Sequence, residues 1–255
     1  MNIKKKLKAI YALWYREFKV FLREKSRVVS AVFLPLFWYF IFGGGIGSIG
    51  AVNSSVSGNY QHFIFPGFLA MTVIFTALFN GAYMIWDKKI DFLKEVLIAP
   101  PSRTTIFVGK MIGGMTDALM QAYILLFIGI FLGIPFTPRS ILLSMVILAI
   151  LAAGLVSIGL IIGSFMESPE GFGLISSFII YPLFLLSGAL YPLDKLPGWL
   201  KTLTRIDPVT YAVDALRHVI IGVSSMPLAF DVSVVIGFDI VLIVAGTWAF
   251  NRMKL

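Results

Sequence analysis

Six stretches of this chain, at 29–48, 62–86, 105–133, 140–166, 171–190 and 231–250, are long and apolar enough to read as helices crossing a lipid bilayer. A crossing helix needs about 20 mostly apolar residues. Inside hydrocarbon every backbone N–H and C=O must be satisfied, which a helix does within its own segment. Six such runs leave little choice of fold. Only 13% of the 255 residues are charged, against roughly 25% in a soluble domain. The chain therefore reads as one all-α polytopic membrane unit, 1–255, with six transmembrane helices.

Lys and Arg set the orientation, because cytoplasmic loops retain positive charge. With the N-terminus inside, the cytosolic pieces hold 16 of the 21 basic residues and the outer pieces hold five. Both termini are thus expected in the cytosol, in a multi-pass cell-membrane protein.

Three stretches outside the spans carry pattern. Residues 1–28 place Leu7, Ile10, Trp14, Phe18, Phe21 and Leu22 at helical spacing, with Lys8, Arg16, Lys19 and Arg23 largely elsewhere. That pattern predicts an interface helix lying in the headgroup plane with its basic face toward anionic lipid. The loop 87–104 reads DKKIDFLKEVLIAPPSRT. Ile90, Leu93, Val96 and Leu97 form a stripe on a short cytosolic helix that Asp87 can cap and Pro100-Pro101 ends, and Ser102 can cap the third span. A helix so placed is suited to receive a push from a cytosolic motor. Asp91, Phe92, Leu93, Lys94, Glu95, Leu97 and Pro100 are its candidate contact residues.

The connection 191–230 is too polar for a span. Asp207-Pro208 gives an N-cap followed by Pro at the first helical position, and Gly222 is a plausible stop. A helix of that length rises roughly 21 Å, short of the ~30 Å hydrocarbon core. Pro192 and Pro197-Gly198 punctuate a preceding amphipathic piece with Trp199, Leu203 and Ile206 on one side. The reading is a pair of short re-entrant helices that narrow a route from outside, with Leu193, Pro197, Trp199, Asp207, Pro208 and Tyr211 as candidate gate residues. Ordinary outer-surface helices are the alternative.

Acids within spans are costly and usually functional. Asp117, followed by Gln121 one turn later, and Asp239 are candidate pathway or interface residues, with Lys110 the nearest cation on the face of Asp117. Trp38 and Tyr39, in the run Phe37-Trp38-Tyr39-Phe40, are candidates for lining a route by stacking. Gly113-Gly114 and Gly43-Gly44-Gly45 permit close helix approach. Cys is absent, and no phosphate loop, HExxH, GxSxG or paired-acid metal motif occurs. These absences argue against an enzyme, and the charge distribution argues against a nucleic-acid partner.

Two segments, LSGALYPLDKLPGWLKTLTRIDPVTYAVDALRH (Leu186–His218) and DFLKEVLIAPPSRTTIFVGK (Asp91–Lys110), resemble the type-2 permeases of ATP-binding-cassette exporters, including daunorubicin-type drug exporters and polysaccharide exporters. The resemblance covers nearly the whole chain. It implies a homodimer, or a heterodimer with a similar permease, that binds two cytosolic ATPase subunits. Mg-ATP would sit on those partners, with no cofactor on this chain. It also implies that about Asp87–Ala99 is a coupling helix and about Leu193–Gly222 a gate-like re-entrant element.

Export of a hydrophobic or amphiphilic drug-like or lipid cargo is the leading reading. A polysaccharide or glycolipid cargo on the same architecture is the alternative. A proton- or ion-coupled carrier using Asp117 and Asp239, and a membrane-embedded transferase, are the competing classes.

Overall fold

The computed structural model describes residues 3–48, 59–93 and 101–253, and the regular elements among them are all helical. In chain order these are α1 (Ile3–Arg23), α2 (Lys25–Gly45), α3 (Tyr60–Phe79), α4 (Gly81–Lys89), α5 (Arg103–Phe131), α6 (Pro138–Phe165) and α7 (Pro169–Leu186). A 3-10 turn (Leu193–Lys195), α8 (Gly198–Ile206), α9 (Pro208–Ile221) and α10 (Leu228–Arg252) complete the order. Five candidate spans result among the described residues: Tyr60–Lys89, which joins α3 to α4, then α5, α6, α7 and α10. The first expected span falls within α2, where the apolar part, Val29–Gly45, is shorter than the rest.

Local chemistry places most of the boundaries. Asn59 accepts from the Gln61 N–H at 2.9 Å, and Ser102 Oγ from the Thr105 N–H at 3.3 Å. Thr137 and Ser140 form a reciprocal capping box ahead of Pro138. Asp207 accepts from the Val209 N–H at 2.9 Å with Pro208 at the first helical position, and Gly222 ends α9 at φ +71°, a left-handed conformation that glycine adopts without strain. The predicted start and stop of this 14-residue helix are those observed.

α3 is the axis of the bundle. Residues 63–74 are buried without interruption, and α3 touches α2, α5, α6, α7 and α9. Lipid gives no hydrophobic drive for helix association, so close backbone packing must hold the spans together. Gly159 and Gly163 of α6 supply it: a Cβ at Gly159 would lie 2.5 Å from the Leu78 carbonyl, and one at Gly163 3.2 Å from Met84 Cβ. Gly114 similarly faces Asn80 and Val156. Of the triple glycine, Gly43 packs on Gln61, whereas Gly44 and Gly45 face open space.

Two basic side chains close helix ends at one face of the bundle. Lys88 Nζ donates to the carbonyls of Gly163, Ser164 and Met166 at the end of α6. Arg103 Nη1 donates to those of Phe250, Asn251 and Met253 at the end of α10. Cations favour helix C-termini, where the last carbonyls lack partners. The connecting helices α8 and α9 lie at the opposite end.

Candidate functional site

At the face marked by Lys88 and Arg103, four charged side chains from three separated segments meet. Arg16 bridges Glu17 at 2.8 Å and Asp87 at 2.7 Å, while Lys110 donates to Glu17 at 3.3 Å and to Asp87. Lys110, Asp87 and Glu17 are nearly sealed from solvent, whereas the Arg16 side chain keeps 32% exposure. Two acids and two bases neutralise one another, and each buried charge has a direct partner. Burial of an ion pair is tolerated only under that condition.

The cluster joins α1 to α5 and to the end of α4. α1 lies on α5 through Leu13 and Glu17, over Gly109 and Gly113, where a Cβ would come within 2.8 Å and 2.7 Å of those side chains. Trp14 Nε1 donates to Thr116 Oγ1 at 2.9 Å. This modifies the interface-helix expectation. Leu13, Glu17 and Phe21 face the protein, while Leu7 and Leu22 from the expected stripe are exposed along with Tyr11. A single helix therefore packs on the bundle with one face and leaves an apolar face exposed.

The segment 87–104, expected to be cytosolic, departs from expectation at its start. Asp87 does not cap a new helix: the second span continues through Asn80 into α4, and Asp87 sits inside that helix in the ion cluster. The break comes at Ile90-Asp91, where Asp91 takes φ +58° and its N–H reaches the Lys88 carbonyl at 3.1 Å. Helical backbone resumes at Phe92. The Arg16 guanidinium lies 3.9 Å from the Phe92 ring centroid, and Leu93 is fully buried. Of the expected contact residues, Lys94, Glu95, Leu97 and Pro100 lie outside the described residues.

Lys110 is likewise not the partner of Asp117. Asn80 Nδ2 donates to Asp117 Oδ2 at 3.4 Å, and Thr76 Oγ1 donates to Gln121 at 2.8 Å. Together they make a polar seam between α3 and α5, one helical turn per rung. Asp239 lies apart from both, with its carboxylate against Gly154 of α6.

The expected aromatic pair divides. Tyr39 is core, edge-on to Phe65 and Phe68 at 5.8 and 5.9 Å. Trp38 is half-exposed, stacked on Phe42 at 5.5 Å, and lines a cavity of about 330 Å³ with Met71, Phe75 and Tyr181. A second cavity of about 240 Å³ shares Leu34, Met71 and Phe75 with it and reaches Gln121. The two make one apolar groove bounded by α2, α3, α5 and α7.

At the far end, residues 207–217 are buried in unbroken sequence, so α9 sinks into the bundle instead of lying on it. Arg217 goes in with it, donating to the Gly188 carbonyl at 2.9 Å and lying 3.8 Å from the Phe63 ring centroid. Burial pulls its pKa down to about 10, which leaves it cationic at neutral pH. Burial pushes the Asp207 carboxyl up to about 7, against the opposing hydrogen bonds from Val209 and Thr210. Tyr211 Oη donates to the Arg205 carbonyl at 2.7 Å. Leu193 packs on Gly188, and Pro197 precedes α8, accepting from Leu200 and Lys201. Trp199 is 69% exposed beside exposed Leu203 and Ile206. The expected gate residues thus fall in two groups: Asp207, Pro208 and Tyr211 are buried, and Trp199 faces outward.

Apolar spans around a groove, with a charge-locked platform at one face and a sunken helix at the other, define a polytopic transport protein. The chain belongs to the ABC-2 type transporter family, whose description matches residues 8–221. It is a non-catalytic transmembrane permease of that family, whose members work with an ABC ATPase subunit. It is 29% identical over 236 residues to the inner membrane transport permease YadH of Escherichia coli K12, covering 90% of each chain. It is also 29% identical over 176 residues to the probable multidrug ABC transporter permease YbhR of the same strain, covering 68% of this chain and 47% of that one.

Proposed function

We propose that the chain is one half of an exporter that moves hydrophobic or amphiphilic drug-like or lipid molecules outward through the groove between α2, α3, α5 and α7. The largely apolar lining of that groove, broken at one end by Ser30, Thr76 and Gln121, is the observation that carries this reading. Such a surface favours a largely apolar cargo with one hydrogen-bonding group. A glycan-bearing lipid is the second reading, supported by Trp38 and Tyr181 in the lining, since aromatic faces stack on sugars.

In this reading α2 is the sixth crossing segment, both termini lie in the cytosol, and the membrane is the inner one, as in the name of YadH. The basic face of α1 meets anionic lipid. A second copy, or a similar permease, completes the route. Mg-ATP is bound and hydrolysed on the cytosolic partner, which docks on the segment beginning at Phe92. The charge cluster ties that segment to α1, so a push at Phe92 and Leu93 moves α1, α4 and α5 together. α8 and α9 form the outer gate.

The test is ATP hydrolysis in liposomes by the chain reconstituted with its ATPase partner, comparing the wild type with Phe92→Ala and Arg16→Gln. Loss of cargo-stimulated hydrolysis, with insertion intact, supports coupling at this platform. Transport without nucleotide, or full stimulation in both variants, overturns it.

A further inference from the structure

The sunken helix α9 walls a small pocket separate from the apolar groove. It measures about 120 Å³ and is lined by Lys201, Arg205, Thr210, Tyr211, Asp214 and Asp231, among others. Asp231, in the first turn of α10, is completely buried, yet neither carboxylate oxygen has a hydrogen-bond partner among the described residues. Asp214 is satisfied: its oxygens accept from the N–H groups of Ser225, at 2.9 and 3.1 Å, and of Met226, at 3.0 Å.

An unpartnered buried carboxylate beside a second one is expensive. The basic residues nearby do not answer it. Arg217 is spent on the Gly188 carbonyl, 4.0 Å from Asp214. Lys201 donates to the Asp194 carbonyl at 2.7 Å. An unpartnered carboxylate is satisfied either by holding its own proton or by a cationic group from outside the chain, and the pocket beside Asp231 offers room for the second. A multivalent metal fits poorly, because no three His, Cys, Asp or Glu side chains converge among the described residues. A primary ammonium fits better: its three N–H donors match the two oxygens of Asp231 and a nearby carboxylate or hydroxyl.

The rest of the pocket carries both signs: Asp194 and Asp214 line it as well as Lys201 and Arg205. Lys201 is half-buried and Arg205 exposed at the rim; the Lys201 ammonium gives one N–H to the Asp194 carbonyl and keeps two, so both side chains can face an anion. The exposed apolar side chains Trp199, Leu203 and Ile206 belong to the same helix as these two cations. We propose that this pocket binds the phosphoethanolamine headgroup of a membrane lipid, with the ammonium on Asp231, the phosphate at Lys201 and Arg205, and the acyl chains along the apolar side of α8. The lipid belongs to the outer leaflet, which rests on the outer placement of α8 and α9 proposed above. The headgroup chemistry does not rest on that placement.

The experiment uses the full chain alone, without ATPase or nucleotide, so its outcome is independent of the coupling reading. The purified protein is incorporated in bilayers of equal phosphatidylethanolamine, phosphatidylcholine and phosphatidylglycerol, and retained lipid is identified by native mass spectrometry. Phosphatidylcholine has the phosphate but no N–H donor, and phosphatidylglycerol has no cation. Losing a charge-assisted hydrogen bond to Asp231 corresponds to about tenfold, so phosphatidylethanolamine is expected to be enriched by that factor over both. Asp231→Asn is expected to erase the enrichment, and Lys201→Gln to lower retention of all three lipids, which share the phosphate, while leaving the fold intact. Free O-phosphorylethanolamine displacing the lipid would show that the headgroup suffices; failure to displace it would assign the affinity to headgroup and chains together. Equal retention of the three lipids by the wild-type protein overturns the proposal whatever the variants do. So does retention that requires calcium and is lost to a chelator.

Discussion

Lys110 of α5 donates to the carboxylate of Asp87 in α4, and the two side chains keep 3% and 5% of their surface. This pair is 23 residues apart in sequence and brackets the connecting segment on which the coupling reading depends. Removing Lys110 leaves two buried carboxylates, Asp87 and Glu17, with Arg16 alone to answer them. Breaking a buried pair in this way costs about 3–5 kcal/mol. Lys110→Met is therefore expected to lower the thermal unfolding midpoint in detergent substantially. Lys110→Met combined with Asp87→Asn is expected to recover part of that loss. Additive losses in the double variant would show that the two side chains act independently.

Backbone contact between α6 and the α3–α4 junction gives a second expectation. Gly159 faces the Leu78 and Ala77 carbonyls at 2.5 and 3.0 Å from where a Cβ would stand, and neither atom can move without breaking a helix. Gly159→Ala should separate the helices and lower folded yield, with an overpacking cost of about 1–3 kcal/mol. Gly173→Ala, on α7 with nothing within 4 Å, should be neutral or slightly stabilising, because alanine is the better helix former. Size-exclusion profiles and melting curves of the two variants give the comparison.

How much of this was legible in the sequence depends on distance along the chain. The α9 boundaries were readable because Asp207, Pro208 and Gly222 act on their own neighbours. Ser102 as a cap was readable for the same reason. The charge cluster was not, since Arg16, Asp87 and Lys110 meet only through tertiary packing. Lys110 is the nearest cation to Asp117 on one helix face, yet its partners stand on neighbouring helices. Asp87 was read as a cap because the sequence turns polar there, but the helix runs on since its charge is buried and paired. A legible signal was missed in α6: Gly159-x-x-x-Gly163 is the spacing that close-packed membrane helices use.

Asp207 makes the α8–α9 end of the bundle sensitive to pH. Its carboxyl is held up to about 7 by burial, from an ordinary value of 3.8. Between those values the folded protein keeps a proton that the unfolded chain has lost. Stability therefore falls as pH rises from about 4 to 7 and levels off above that. Asp207→Asn keeps an effective N-cap and removes the titration. The variant is expected to reduce the pH dependence of unfolding across that window without abolishing it, because other buried carboxyls contribute. An unchanged slope would mean that another group is responsible.

The carboxylates within the spans discriminate an ATP-driven exporter from an ion-coupled carrier. Asp117 belongs to a seam with Asn80, and Asp239 packs against Gly154, so both occupy helix–helix contacts and neither lines the apolar groove. Each can be replaced by an amide of nearly the same shape. Asp117→Asn and Asp239→Asn are expected to change ATP-dependent efflux from proteoliposomes by less than about threefold, about 0.7 kcal/mol in barrier height. Met71→Trp, which puts a large ring into the groove where its two cavities join, is expected to reduce efflux severely with little change in melting temperature. The reverse pattern, with the acid variants inactive and the Met71 variant unaffected, would move the route away from the groove and toward the acids.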